Sequence, residues 1–264
     1  NASSATAAFK RTQARRFDDF DKMASAVLSE VKSSLRDPLK VHDIGVSDGR
    51  TTVQFHHMLD EVFGGHFHII ASDLDIEFFT IQLGGRRRGI FDVQGTCLQL
   101  VAPPFVFSLR AKPRSRFTIL NNLFGAFLDR YFAERLRKTF YERRSDAIAF
   151  TPMCKEFCDL KRKASNIDLV PYDVLQSDKN GPFGIVRAMN VLNRSYFCDS
   201  ELTRAIGNIH EALTDGGVFV TGSNQDAKSE VMGGVYQKSG RTFKTIAEFG
   251  GGSPVSDLIL SGFV

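Results

Sequence analysis

Apolar residues recur at helical spacing over residues 8–36. Phe17, Phe20, Met23, Ala24, Val27, Leu28, Val31 and Leu35 fall on one side, with charges between them. The pattern predicts an amphipathic helix, stopped by Pro38. A short apolar run, LKVHDIG, follows and ends at a glycine, as a strand would. Residues 51–63 return to helical spacing, with Val53, Phe55, Met58, Leu59 and Val62 on the apolar side and Gly64-Gly65 as terminator. HFHIIASDLD reads as the next strand. Strand, helix and strand joined by short connections make a βαβ unit, which implies a parallel sheet.

The rhythm then breaks. FFTIQLGGRRRGIFDVQGTCLQL predicts a hairpin about Gly84-Gly85, and APPFVFSLRAKPRSR reads as irregular and basic. Residues 117–141 form an amphipathic helical pattern, with Leu120, Phe124, Phe127, Leu128, Tyr131, Phe132, Leu136 and Phe140 along one side. Residues 78–145 are therefore read as an insertion into a domain spanning 40–264, behind an N-terminal helical segment over 1–39.

Past the insertion the α/β alternation resumes. DAIAFTP predicts a strand, residues 153–164 a short helix, and NIDLVPYDVL and GPFGIVRAMNVL two more strands. Asp199 or Ser200 is expected to cap a helix bearing Leu202, Ala205, Ile206, Ile209 and Leu213, closed by Gly216-Gly217. VFVTGSN is a further strand. RTFKTIAEF and SDLILSGF, separated by GGGSP, read as an antiparallel pair.

Composition narrows the class. Of 264 residues, 42% are hydrophobic and 24% charged, which suits a globular chain with a real core. There is no tryptophan and there are 24 phenylalanines, so phenylalanine carries most aromatic packing. The longest apolar run, Leu98 to Phe107, is broken by Pro103-Pro104, whereas a spanning helix needs about 20 residues. No apolar signal-peptide core precedes the first helix. None of the four cysteines forms a CxxC pair. Cys154 and Cys158 stand at i,i+4, but two further ligands are missing, so no metal is expected and the thiols fit a reducing cytoplasm. Charge is uneven: from Arg86 to Arg144, 13 Lys/Arg face four acids, a surplus of +9 on an otherwise acidic chain.

The chemistry is expected at strand ends, because open parallel sheets bind ligands outside their carboxyl edge. KVHDIGVSDGRTT supplies Asp43, Gly45 and Gly49; the second strand supplies Asp73 and Asp75; the third Asp173; the fourth Arg187 and Asn190. The loop lacks the third glycine of a dinucleotide fingerprint and the Lys-Ser/Thr of a phosphate loop. Glycine permits close backbone approach, a carboxylate can take both hydroxyls of a ribose, and Asp173 can accept from an exocyclic amine. A single such acid is ordinarily a helix cap or solvated turn. The joint arrangement describes a nucleoside pocket without a phosphate cradle.

VHDIGVSDG, IIASDLD, LVPYDVL, FGIVRAMNVLNRSYF and IHEALTDGGVFVTGS resemble, in order and spacing, the motifs of class I (Rossmann-like) S-adenosylmethionine-dependent methyltransferases. NVLNRSYF with LTDGGVFVTGS, and ASDLD, are most similar to the chemotaxis-receptor methyltransferase branch. The resemblance covers residues 40–77 and 146–225. It implies an α/β fold with a seven-stranded, mostly parallel sheet, an antiparallel last strand and helices on both faces. It also implies S-adenosyl-L-methionine as cofactor and S-adenosyl-L-homocysteine as product. Gly45 and its neighbours, Gly49 among them, would lie against the methionine part, Asp43 would anchor its amino end directly or through water, Asp73 would bind the ribose, Asp173 and the Val174 N–H would read adenine, and Asn190 would sit near the methyl group. Met189 stands where that branch carries an arginine, and the Pro-Pro-aromatic signature of DNA amino-methyltransferases is absent.

Asn190, Arg194 and Tyr196 follow the fourth strand and are the catalytic candidates; loop fixation is the plainer role for Arg194 and Tyr196. Among the histidines weighed as bases, His66 and His68 read as structural and His210 as solvated. The insertion is expected to cover the site, with Arg86, Arg87, Arg88, Arg110, Lys112, Arg114 and Arg116 facing a small or acidic acceptor. The 117–141 helix offers a packing face, a homodimer contact or a membrane contact. The competing functions are a non-catalytic S-adenosylmethionine-binding module, an RNA methyltransferase guided by the basic insertion, and a nicotinamide dehydrogenase. Nucleic acid is not favoured as partner.

Overall fold

The computed structural model describes residues 17–35, 37–109, 119–224 and 230–262, without the side chains of 119–126. Residues 8–16 of the expected first helix lie outside this range, as do Arg110, Lys112, Arg114, Arg116 and the side chains of Leu120 and Phe124. The chain forms two compact units, one of residues 75–152 and one of the chain on either side.

The first part of the larger unit follows the apolar spacing. Helix α1 (Asp18–Val31) buries Phe20, Ala24 and Leu28, while Met23, expected on that side, is exposed. Strand β1 (Leu39–Ile44) leads into α2 (Arg50–Phe63) and β2 (Phe67–Asp73), the predicted βαβ unit. Gly64 ends α2 at φ 61°, with its N–H on the Asp60 carbonyl 2.8 Å away, a left-handed cap that suits glycine.

Residues 75–152 carry a five-stranded antiparallel sheet. It comprises β3 (Phe78–Gly84), β4 (Arg87–Phe91), β5 (Cys97–Ala102) and β6 (Phe105–Ser108), followed by helix α3 (Ile119–Glu142) and strand β7 (Ile148–Phe150). The strand order is β6-β5-β4-β3-β7. The hairpin at Gly84-Gly85 is present. The stretch read as irregular instead turns at Pro103-Pro104 and pairs β6 with β5. DAIAFTP does form a strand, but β7 pairs with β3 rather than continuing the parallel sheet. Helix α3 packs Leu128, Leu136 and Phe140 against Phe79, Ile81 and Phe91, whereas Phe127, Tyr131 and Phe132 of the expected apolar side are exposed.

The rest of the larger unit adds α4 (Lys155–Lys163), β8 (Ile167–Pro171), β9 (Phe183–Met189), α5 (Asp199–Ala212), β10 (Leu213–Ser223), β11 (Met232–Ser239), β12 (Thr242–Phe249) and α6 (Ser256–Leu260). The seven-stranded order is β12-β11-β10-β9-β1-β2-β8. Strands β8, β2, β1, β9 and β10 run parallel, β11 is antiparallel to β10, and β12 is antiparallel to β11. The fold is a Rossmann-like α/β sheet. Every residue of β9 is buried, as befits a central strand covered on both faces. Helices α1, α2 and α4 share one core with that sheet. On the other face, His210 of α5 meets Phe243 edge-on at 5.1 Å, and Phe243 in turn packs on Phe219.

Three local expectations are corrected. SDLIL is helix α6, and the antiparallel partner of RTFKTIAEF is β11, a segment to which the sequence pattern assigned no element. Helix α5 starts at an N-cap Cys198, whose N–H reaches Glu201 at 3.0 Å, and it ends before Gly216-Gly217, which lie in β10. His210 is buried against Phe243 rather than solvated; burial, reinforced by the Lys238 charge, lowers its pKa.

Candidate functional site

The carboxyl edge of β1 is a tight loop. Gly45 and Val46 both donate their N–H groups to the Ser72 carbonyl, at 2.7 and 3.1 Å, which sews the loop to β2. Gly45, Ser47 and Gly49 have φ of 76°, 56° and 80°. A Cβ on Gly45 would come within 2.3 Å of Val191 Cγ2, so glycine is required there by conformation and by contact. A Cβ on Gly49 would stand 2.6 Å from the Phe157 ring. The expected close approach at these glycines is thus made by the protein's own Val191 and Phe157 on the Cβ side.

Asp73 ends β2 and faces this loop. Its Oδ2 accepts the Ser47 N–H and its Oδ1 the Leu74 N–H, both at 2.8 Å. The Asp73 carbonyl takes the Tyr172 N–H at 2.9 Å, which brings Asp173 beside it at the end of β8. Asp173 Oδ1 accepts the Leu175 N–H at 3.0 Å; Val174 is buried, with its carbonyl on Asn208 Nδ2. Loop 45–49, Asp73 and Asp173 are therefore brought together at one edge.

Asp43 is a correction. Register places it opposite Arg187 on β9, and the two form a bidentate pair at 2.8 Å for both Nε–Oδ1 and NH2–Oδ2. Arg187 is 1% and Asp43 2% exposed, so the carboxylate faces the interior and offers no direct anchor to a ligand. The guanidinium also donates to the Thr51 carbonyl at 3.1 Å and lies 3.9 Å from the Phe55 ring centre. Asp21 of α1 completes the cluster, 3.7 Å from Arg187 NH1. Burial pushes the Asp21 carboxyl up to about 6, against the Arg187 charge and helped by Asp43 and Asp18. Nothing in the sequence marks Asp21, which sits among the charges of an amphipathic helix.

A second buried chain was equally hidden. His42 Nδ1 lies 2.6 Å from Asp178 Oδ2 and its Nε2 lies 2.7 Å from Ser72 Oγ, between the Tyr172 and Phe183 rings. Burial would raise the Asp178 carboxyl, but bonds from His42 and Asn180 outweigh it and hold it below the usual range. His42 and Ser72 are closed to solvent, so this hydroxyl–imidazole–carboxylate series ties β1 and β2 to the segment before β9.

Asn190 follows β9 with φ 58°, an unusual backbone for a residue with a side chain. Its Oδ1 accepts the Asn224 N–H at 2.9 Å and its Nδ2 donates to Asn224 Oδ1 at 3.0 Å, which joins the ends of β9 and β10. Arg194, a catalytic candidate, is instead held by Asp199 at 2.9 Å and Asp257 at 2.6 Å, so it clamps α5 to α6. Tyr196 is half-buried in a turn where its N–H meets the Asn193 carbonyl at 2.9 Å. Arg86, Arg87 and Arg88 are exposed on the β3–β4 hairpin of the other unit. His68 pairs with Asp168 at 3.0 Å, and Cys154 caps α4 through its sulfur.

No family model matches the chain, and no curated protein matches it. Among solved structures, it is similar to the N-methyltransferase NodS from Bradyrhizobium japonicum WM9, in complex with S-adenosyl-L-homocysteine. The identity is 16%, the TM-score 0.39, and the match covers 86% of this chain and 74% of that one. CalS10 from Micromonospora echinaspora, an amino pentose methyltransferase, is 11% identical, with a TM-score of 0.36 and 86% and 66% coverage. An S-adenosylmethionine-dependent methyltransferase from Clostridium acetobutylicum is 10% identical, with a TM-score of 0.36 and 90% and 74% coverage. These likenesses are too distant to assign an activity.

Proposed function

We propose that the chain is an S-adenosylmethionine-dependent methyltransferase acting on a small or acidic acceptor. The observation that carries this reading is the Asp73 seam. A carboxylate at the end of β2 meets the left-handed loop after β1, beside the Asp173 turn and next to the point where strand order reverses between β1 and β9. The arrangement suits an adenosyl group: Asp73 for the ribose hydroxyls, the Asp173–Val174 turn for the adenine edge, and the Gly45–Gly49 backbone for the remainder. Asp43 supports that loop from beneath through Arg187.

Bound S-adenosylmethionine would supply an electrophilic methyl group for in-line displacement. Alignment and exclusion of water can then account for much of the acceleration, up to ~7–11 kcal/mol of effective-molarity advantage. Asn190 contributes by fixing the β9–β10 edge next to Val191 and Gly45. The likeness to the chemotaxis-receptor branch is a likeness of motif only. Met189, where that branch carries arginine, is buried in the core, which speaks against a shared acceptor.

A second reading is a binding module without turnover. It is favoured by the commitments of two catalytic candidates, Asn190 to Asn224 and Arg194 to Asp199 and Asp257. Calorimetry with S-adenosylmethionine and S-adenosylhomocysteine, followed by methyl transfer to a panel of small and acidic acceptors, separates the two. Binding with transfer supports the enzyme, binding alone the module, and no binding of either nucleoside sinks both.

A further inference from the structure

The five-stranded sheet ends in a rim where large apolar side chains and arginines stand together. The chain passes up and down through β3, β4, β5 and β6, so the β3–β4 and β5–β6 turns lie at the same end. Register is specific about neighbours. Arg88 pairs with Val101, and Val101 with Val106; Ala102 pairs with Phe105. Paired residues share a face of the sheet. Arg88 and Val106 therefore lie on one face, with Phe105 on the other. Phe105 is 61% and Val106 48% exposed, on the edge strand of the sheet. Elsewhere on this unit, α3 exposes Phe127 at 49% and Tyr131 at 65%.

Scattered apolar residues on a surface need no explanation, but a turn tipped with proline, phenylalanine and valine beside three consecutive arginines does. Along the sequence, residues 86–144 carry 13 basic residues against four acids, a surplus of +9. An isologous contact with a second copy would bring two such surpluses face to face, which is repulsive. A nucleic-acid strand would meet the charge and find a stacking ring in Phe105, but the aliphatic Pro103-Pro104 and Val106 on either side of that ring favour an apolar phase over bases. An anionic bilayer answers both features, with rings and aliphatic tips entering the headgroup boundary while arginines meet phosphates and acidic headgroups. We propose that this rim is a docking surface for an anionic phospholipid membrane. No described helix is long and apolar enough to cross one, so the contact is peripheral.

The absence of native tryptophan provides a direct reporter. Phe105→Trp should emit at shorter wavelength on vesicles of phosphatidylcholine with about one-third phosphatidylserine, and be quenched by brominated acyl chains. Pure phosphatidylcholine or high salt should abolish the change. Phe105→Ser/Val106→Ser, and separately Arg86→Glu/Arg87→Glu/Arg88→Glu, should each lower co-sedimentation with the anionic vesicles by about tenfold or more with unchanged circular dichroism. Three results would overturn the proposal: no emission change on anionic vesicles, equal sedimentation of the parent and the double-serine variant, or an emission change produced instead by RNA or by raising protein concentration alone.

Discussion

Arg187 and Asp43 meet across β9 and β1 in a two-point contact of 2.8 Å at each bond, and neither side chain reaches solvent. Removing one partner strands the other's charge in the interior. Arg187→Met is expected to cost about 3–5 kcal/mol in urea unfolding, because two acids lose their counter-charge, and Arg187→Met/Asp43→Leu is expected to recover part of it. A double variant no better than the single one would show that the loss does not come from the stranded Asp43 charge.

Asp21 gives stability a definite pH dependence. Its carboxyl rises from 3.8 to about 6, so the folded chain holds that proton more tightly than the unfolded chain does. This contribution is fully present below about pH 4, declines as pH rises from about 4 to 6, and is lost above. Asp21→Asn should flatten that interval and raise stability at pH 7.5 by roughly 1–3 kcal/mol. The check is urea titration of both proteins at pH 4.5 and 7.5; parallel pH profiles would contradict the assignment.

Gly45→Ala should destabilise through its positive φ and through contact with Val191, by roughly 1–3 kcal/mol in all. Gly45→Ala/Val191→Gly should return the contact part only. Strict additivity of the two changes would show that loop and strand end do not touch in solution.

Asp73→Ala should weaken S-adenosylhomocysteine binding by about one to two orders of magnitude, from lost charge-assisted hydrogen bonds worth roughly 1.5–3 kcal/mol. Asp73→Asn, which keeps one acceptor, should fall between. Calorimetric dissociation constants equal to that of the parent would remove Asp73 from the ribose role.

Arg194→Ala should leave turnover unchanged once an acceptor is in hand, because both ends of its guanidinium are occupied by Asp199 and Asp257 at the surface. A drop in kcat with KM preserved would restore it as a catalytic group.

The legible parts of the fold were those with local causes. LKVHDIG, the α2 spacing and Gly64 each carry their own signal within a few residues, and so does the hairpin at Gly84-Gly85. β11 was illegible because its glycines answer to distant partners: a Cβ on Gly233 would meet Phe20 at 2.6 Å. SDLIL is too short for its period to separate helix from strand. At the site, Asp73 and Asp173 were visible as acids at strand ends. The Arg187–Asp43 pair spans 144 residues, and His42 reaches Ser72 and Asp178, so only tertiary placement reveals that they hold the edge from within.

The cysteines sort themselves by depth. Cys158 and Cys198 lie open, whereas Cys97 is enclosed in the five-stranded sheet and burial pushes its thiol up to about 12. It is also the sole cysteine of residues 75–152. In a chain whose open thiols have been blocked and Cys154 replaced, alkylation of Cys97 becomes a clock for the opening of that sheet, read apart from whatever the larger unit is doing.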